Sequence, residues 1–140
     1  TRGHQVRRYT IHNDRIEGMN PLALAKKTIW NGDVYSDLRA IVRQERPDVA
    51  HFHNTFPLIS PAAYHAMKDE GVPVVQTLHN YRLLCPNAMF FRNGKVCEDC
   101  LGKCGPLPGI VRGCYRESQT ASGVVAAMVN LHSLMCTWSK

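Results

Sequence analysis

The sequence predicts an α/β fold in which short parallel strands alternate with helices. Two apolar, β-branched runs, VAHFH at 49–53 and VVQTL at 74–78, are typical of short buried strands. A helical pattern lies between them at 60–70, and this crossover is long enough to bring the second strand back parallel to the first. We therefore expect residues 49–78 to form a βαβ unit.

The composition is that of one globular domain. Of the 140 residues, 44% are apolar and 20% are charged, which is enough apolar material for a buried core. The formal net charge of +6 suits anionic partners such as nucleotides, phosphorylated lipids, nucleic acid or a membrane surface, without choosing among them. The chain begins at Thr1 without a signal-peptide pattern, and both ends look cut, so we expect a piece of a longer protein.

Before the βαβ unit, the pattern predicts one strand and two helices. The strand is expected over Val6–Ile11, although two arginines weaken it. Residues 21–30 are helix-prone, and residues 33–45 carry apolar side chains at i, i+4, i+7 and i+8. Pro47 then prevents this second helix from continuing.

The helix inside the βαβ unit has clear start and stop signals. Ser60 offers a capping hydroxyl, and Pro61 suits the first helical position. Gly71 is typical of a helix C-terminus, and Pro73 cannot extend the helix.

All three predicted strands end in the same pair of residues, His-Asn, within IHN, FHN and LHN. In open parallel sheets, ligands bind beyond the carboxyl ends of the strands. His53, Asn54, His79 and Asn80 are therefore predicted to lie side by side in a ligand site. The alternative is that His and Asn simply tolerate strand-to-loop geometry, and this is the preferred interpretation for His12.

Residues 82–116 lose all periodicity and are predicted to form a cysteine-rich loop. A loop of this length needs something that pins it. The pair Cys97 and Cys100 has the two-residue spacing that lets both sulfurs reach one ion, and Asn93-Gly94 is a tight-turn signal just before it.

Four thiolates would complete a closed, structural metal site. Zinc suits such a site, iron would also fit, and disulfides or free thiols are the alternatives. The predicted ligands are Cys85, Cys97, Cys100 and Cys114, with Cys104 as a replacement for one of them.

The last segment, residues 118–139, has no charged residue and carries a one-sided apolar stripe. The stripe consists of Ala121, Val124, Val125, Met128, Leu131, Met135 and Trp138. Its length reaches the threshold for spanning a bilayer, but polar residues dilute it. We expect a buried or membrane-leaning helix rather than a transmembrane one.

The run DVAHFHNTFPLISPAAYHAMKDEGVPVVQTLHNYRLLCPN resembles the N-terminal domain of glycosyltransferase family 4. The cysteine loop VCEDCLGKC…GCYRES and the helix ASGVVAAMVNLHSLMCTW resemble one subgroup with four cysteines. The resemblance covers about residues 1–138.

The resemblance implies a GT-B enzyme, in which two Rossmann-like domains face each other across a cleft. The N-terminal domain mainly binds the acceptor, and the C-terminal domain binds the nucleotide-sugar donor. Transfer retains the anomeric configuration and needs no metal. For residues 1–140 we thus expect a Rossmann-like parallel sheet flanked by helices, a partial GT-B N-terminal domain with a cysteine-rich, zinc-binding loop insertion.

The resemblance also suggests roles for the strand ends. The position of His79 matches a family histidine that lies near the transferred sugar, so His79 is the predicted catalytic residue. His53, Asn54 and Asn80 are predicted to bind substrate. The family's first strand with its Gly-rich loop and the C-terminal domain with its glutamate motif are absent from the chain, so we expect it to be inactive alone.

The expected partners are a nucleotide sugar, a glycan or lipid-linked acceptor and the absent C-terminal domain. The expected pathway is the synthesis of cell-surface polysaccharide. The protein is expected to act in the cytoplasm, with peripheral contact at the inner face of the membrane. The alternative function is a zinc-stabilised module for an anionic partner such as nucleic acid. Scattered basic residues argue against specific nucleic-acid binding, and the surplus of cysteines argues against an open catalytic metal site.

Overall fold

Two parallel strands form the central sheet of the computed structural model, which describes residues 3–103 and 105–138. Strand β1 (Ala50–His53) pairs with strand β2 (Val74–Thr77), and His53 lies opposite Thr77. Helix α3 (Ala62–Asp69) connects the two strands. The predicted βαβ unit is confirmed, and both strands end at the same edge of the sheet.

The other elements surround this unit. A short 3-10 helix (Asn13–Ile16) is followed by helices α1 (Pro21–Ile29) and α2 (Gly32–Glu45) before β1, which confirms the two predicted helices. After β2 come a small antiparallel hairpin and two further helices: β3 (Phe91–Arg92), β4 (Lys95–Val96), α4 (Leu107–Val111) and α5 (Gln119–Leu134).

Local signals explain where several helices begin and end. The Asn20 side chain accepts a hydrogen bond from the Leu22 amide at 2.8 Å, and Pro21 occupies the first position of α1. Helix α2 ends where Arg46 adopts a left-handed conformation, with φ at 47°, directly before proline. The Ser118 hydroxyl caps α5 by accepting from the Ala121 amide at 3.2 Å.

The core lies between α2, α3 and one face of the sheet. The side chains of α2 that face inward repeat at four-residue intervals, as the sequence pattern requires. Partly buried side chains of both strands pack on this cluster. Its buried members are Val34, Leu38, Val42, Ala63, Ala66, Met67 and Val72.

Replacing Leu38 by alanine is expected to lower the free energy of unfolding by about 2–5 kcal/mol. Leu38 is 6% exposed in the centre of α2, so truncation leaves a cavity between the helices. Urea unfolding of the variant measures the loss. Leu22→Ala is the matched control because Leu22 is 80% exposed on α1; equal unfolding midpoints for the two variants would contradict this description of the core.

The predicted strand over Val6–Ile11 is wrong. Residues 4–12 contain no regular secondary structure, and Val6 is 71% exposed. A strand needs a neighbour for its backbone hydrogen bonds, and the described residues provide none to this segment. Its apolar pattern still has a role, because Tyr9 and Ile11 pack against the core.

The outer face of the two-stranded sheet is exposed. His51, His53 and Val75 point away from the core, and Val75 is 51% exposed. Within the described ranges, the architecture is thus a mixed α/β fold with a small parallel sheet, which fits a fragment of a Rossmann-like domain.

Helix α5 is buried along a face that coincides only in part with the predicted apolar stripe: Val125 and Met128 of the stripe are buried. Its buried residues are Ser122, Val125, Ala126, Met128 and His132, whereas Leu131 and Met135 of the predicted stripe are exposed. Polar side chains enter the core here because they are hydrogen-bonded. Among the described residues, no helix has both the length and the apolar character that crossing a membrane requires.

The His132 ring shows how such a group is accommodated. It is 0% exposed, and its Nε2 lies 2.9 Å from the carbonyl oxygen of Ile29 in α1. A carbonyl only accepts, so Nε2 donates and Nδ1 accepts from the Thr137 hydroxyl at 3.0 Å. Burial lowers the pKa of His132, which keeps the ring neutral in this role.

Candidate functional site

The carboxyl ends of β1 and β2 bring two predicted site residues into contact. His53 is the last residue of β1, and His79 follows β2 by two residues. The Nδ1 atom of His53 lies 3.0 Å from the Nε2 atom of His79, and the ring centroids are 5.2 Å apart. The predicted adjacency of these two imidazoles is therefore observed.

The two asparagines lie at the same edge. Asn54 turns the chain out of β1 with a positive φ of 45°, a conformation that asparagine tolerates better than most residues. The Asn80 side-chain oxygen accepts a hydrogen bond from the Arg82 amide at 3.0 Å, which forms a tight turn after β2.

A cleft of about 360 Å³ opens beside these strand ends. This size is within the usual range for small-molecule sites. Its lining includes Asn54, His79 and Asn80, but the ring of His53 stands outside the lining and contacts His79 instead. The four predicted residues are thus neighbours, and three of them face one cavity.

Three further residues of the cleft were not predicted as site residues. Tyr64 of α3 reaches the cleft and donates a hydrogen bond to the Gln76 side chain of β2. Trp138, beyond the end of α5, packs on Tyr64 with ring centroids 5.2 Å apart. Arg82 belongs to the basic step after LHN, so its type and position in the sequence were the available signal.

The surroundings of His53 favour the neutral form of its ring. Burial, followed by the neighbouring charges of His51 and His79, lowers the pKa of His53. A neutral His53 can share one proton with His79, one ring donating and the other accepting. The pair can therefore hold the His79 ring in one orientation.

The other histidines singled out by the sequence play simpler parts. The His51 Nε2 atom lies 2.8 Å from the Thr77 hydroxyl on the exposed face of the sheet, so this ring is hydrogen-bonded within the sheet and does not line the cleft. His12 is exposed just before the 3-10 helix, and it does not line the cleft.

Four cysteines line a second, much smaller cavity of about 20 Å³. This is space for roughly one water-sized sphere. The residues around it come from the turn after β2, from the hairpin, from α4 and from the segment after α4. The cysteines that line it are Cys85, Cys97, Cys100 and Cys114; Cys104 lies outside the described residues.

The segments around this cavity approach each other closely. The hairpin turns at Asn93-Gly94, with positive φ values of 51° and 77°, as the tight-turn signal predicted. There is no room for a side chain at Gly109 in α4, because a Cβ atom there would lie 2.8 Å from Pro86 and 3.4 Å from the Cys100 sulfur. The missing side chain lets α4 pack directly on the thiols.

The cavity has a mixed electrostatic environment. Burial raises the pKa of Cys100 and that of Cys114, as expected for thiols removed from water. Arg112 lines the cavity, forms an ion pair with Asp99 and points Nη1 to within 4.0 Å of the Cys97 sulfur. Across residues 3–103 and 105–138, no three His, Cys, Asp or Glu side chains meet the spacing that a metal ion requires, so zinc binding stays a prediction.

The fold and the cleft are those of a ligand-binding α/β domain. A parallel α/β unit with a polar cleft at the carboxyl ends of its strands is the arrangement in which α/β domains bind small ligands. The sequence model of one family, Glycosyltransferase Family 4, matches residues 1–95, which is about two thirds of the chain. The chain belongs to this family.

The family match includes β1, α3, β2 and the cleft residues up to Leu83, and it ends before Cys97 and α5. No curated protein and no solved structure matches the chain. The family therefore bears on the cleft and not on most of the cysteine loop.

Proposed function

We propose that this chain supplies the acceptor side of the active-site cleft in a retaining glycosyltransferase. The observation that carries the proposal is that His79, Asn54 and Asn80 line one cleft at the strand ends of a family 4 domain. Sugars present many hydroxyl groups, and imidazole and amide side chains both donate hydrogen bonds to hydroxyls and accept them.

In this proposal, His79 touches the transferred sugar. The contact with His53 occupies Nε2 of His79, which leaves Nδ1 for a sugar hydroxyl. The Asn80 oxygen is held by the Arg82 amide, so its NH₂ group is left to donate. The nucleotide-sugar donor binds mainly to a C-terminal domain outside this chain, and the chain alone is inactive.

The proposed acceptor is a glycan or a lipid-linked sugar, used to build polysaccharide. We propose that transfer takes place in the cytoplasm, with the protein in peripheral contact with the inner face of the membrane. The net charge of +6 supports this setting because the inner leaflet is negatively charged.

We also propose that Cys85, Cys97, Cys100 and Cys114 bind a structural zinc ion. The proposal is supported by the residue types alone: four sulfurs line one cavity of atomic size, and four thiolates form a closed zinc site. The described side chains do not stand at metal-ligand spacing, so binding would require the four thiols to move closer together. Zinc would deprotonate the thiols and tie the turn after β2 to the hairpin and α4. It would leave no open position for chemistry, so no step of transfer passes through it.

A nucleic-acid module has less support. Several of the cations that would contact phosphates are paired with carboxylates instead. Arg39 and Arg43 both bind Glu70, Lys27 binds Asp33 and Arg112 binds Asp99.

The proposal requires a longer protein in which this chain is joined to a donor-binding domain, and the activity is tested with that protein. Incubation with a panel of nucleotide sugars and with glycan and lipid-linked acceptors is expected to yield a glycoside whose anomeric configuration matches the donor, as measured by proton NMR. Residues 1–140 alone are the control and are expected to yield none. An inverted product would overturn the mechanism, and sequence-dependent oligonucleotide binding without transfer would overturn the function.

A further inference from the structure

Arg82 is a cation in the wall of the cleft, and none of the described carboxylates forms an ion pair with it. Its guanidinium packs against two aromatic rings, with Cζ 4.6 Å from the ring centroid of Phe56 and 4.8 Å from that of Tyr115. The two rings contact each other edge to face, with centroids 5.6 Å apart. These contacts hold the plane of the group through cation–π attraction. Its Nη1 atom donates to the carbonyl oxygen of Pro86.

The hydrogen bonds around Arg82 leave donors unused. The Nε atom is buried and has no partner among the described residues, and the same holds for Nε1 of Trp138 in the same cleft. An arginine carries five N–H donors and cannot be relieved by deprotonation in a protein. Burial lowers the pKa of Arg82, and the described groups that oppose this effect are the Tyr115 hydroxyl and the Cys85 thiol.

The charge of the cleft also favours binding of an anion. None of the described residues that line the cleft is Asp or Glu. Among these lining residues Arg82 carries the formal charge, and the others contribute hydroxyl, amide, imidazole and apolar groups. A half-buried cation of this kind is stabilised by an anion that enters the cleft and shares its low dielectric.

We propose that the cleft binds an acceptor that carries an anionic oxygen group, a carboxylate or a phosphate, and that Arg82 is the residue that recognises it. That the bound anion is an acceptor rests on the proposed function, but binding of the anion itself can be tested without any transfer. The two sources are an acidic sugar, which carries a carboxylate, and a phosphorylated lipid or sugar, which carries a phosphate.

The test uses the longer protein and three small probes: methyl phosphate, methyl glucuronide as a carboxylate, and methyl glucoside as a neutral control. Calorimetry is expected to show that at least one of the two anionic probes binds, with an affinity that falls as the salt concentration rises. No comparable binding of the glucoside is expected. Preference for methyl phosphate identifies a phosphorylated acceptor, and preference for methyl glucuronide identifies an acidic sugar.

Arg82→Met is expected to weaken anion binding by about tenfold or more, because a charge-assisted hydrogen bond is lost. Arg116→Met is the matched control. Arg116 also stacks on Tyr115, at 5.5 Å, but it is exposed and outside the cleft lining. Equal affinities of wild type and Arg82→Met would overturn the proposal.

A second measurement needs no folded variant at position 82. In the wild-type protein, the Arg82 Nε–H resonance in ¹⁵N NMR is expected to shift as the bound anion saturates, while that of Arg116 stays in place. A fixed Arg82 resonance at saturation would overturn the proposal. If sugar transfer with retention is observed but the Arg82 resonance does not shift, the proposed function still holds and the anion site is wrong. If the anion binds at Arg82 but no transfer is observed, only the proposed function is wrong.

Discussion

His79→Ala in the longer protein is expected to lower turnover by about 100-fold or more, which is the usual cost of removing a hydrogen-bonding group that acts on the transition state. His79 lines the cleft, and His53 fixes its ring from the side opposite the proposed ligand. The fold should survive, because His79 is exposed and its truncation leaves no cavity in the core. Initial rates at saturating donor and acceptor measure the effect.

His12→Ala is the control for this prediction, since His12 is an exposed histidine outside the cleft. His53→Ala separates contact from positioning: it removes the hydrogen bond to His79 but no lining side chain, so its loss of turnover should be smaller. Turnover of His79→Ala equal to that of His12→Ala, with both proteins folded, would remove His79 from the site.

Cys97→Ser and Cys100→Ser are expected to abolish metal binding in a protein that otherwise purifies with about one zinc ion per chain. Structural zinc sites contribute directly to folding, because the ligands are not assembled in the unfolded chain. Loss of the ion should therefore loosen residues 82–116. Elemental analysis under reducing conditions measures the metal, and limited proteolysis locates the loosened segment.

Cys136→Ser provides the matched control for the cysteine variants. Cys136 is exposed after α5 and does not line the cavity of the four thiols. Its replacement should leave the metal content unchanged. A wild-type protein without zinc or iron would rule out the metal site, and iron in place of zinc would correct its identity.

Local signals in the sequence were sufficient for the βαβ unit. The runs at 49–53 and 74–78 are short, apolar and β-branched, and Ser60-Pro61 and Gly71 bound the helix between them. Parallel pairing follows from that order of elements, and the meeting of His53 with His79 follows from parallel pairing. This part of the site was predictable because each step depends on neighbouring residues.

The remainder depends on contacts between distant residues. A strand over Val6–Ile11 was plausible from composition, but a strand also needs a pairing partner, and composition does not report one. The polar residues Ser122 and His132 are buried on α5 because groups elsewhere in the fold satisfy their hydrogen bonds. No helical periodicity identifies such positions.

The cleft itself shows the same limit. Its walls join the strand ends to Trp138, which is about sixty residues further along the chain. Arg82 gains its significance from Phe56 and Tyr115, which are distant in sequence and adjacent in space. The composition of the segment indicated a basic residue near the site, but only the packing shows that the charge lies against two aromatic rings.

One hydrogen bond connects the cleft with the cavity of the four thiols. Arg82 lines the cleft, and its Nη1 atom donates to Pro86, whose ring is part of the wall around the four thiols. Any gain in acceptor affinity that an ion in the small cavity produces must be matched by an equal gain in ion affinity when the acceptor is bound, because such coupling is reciprocal. A chelator should then act as an inhibitor of sugar transfer even though the ion takes no part in the reaction, and saturating acceptor should slow its effect.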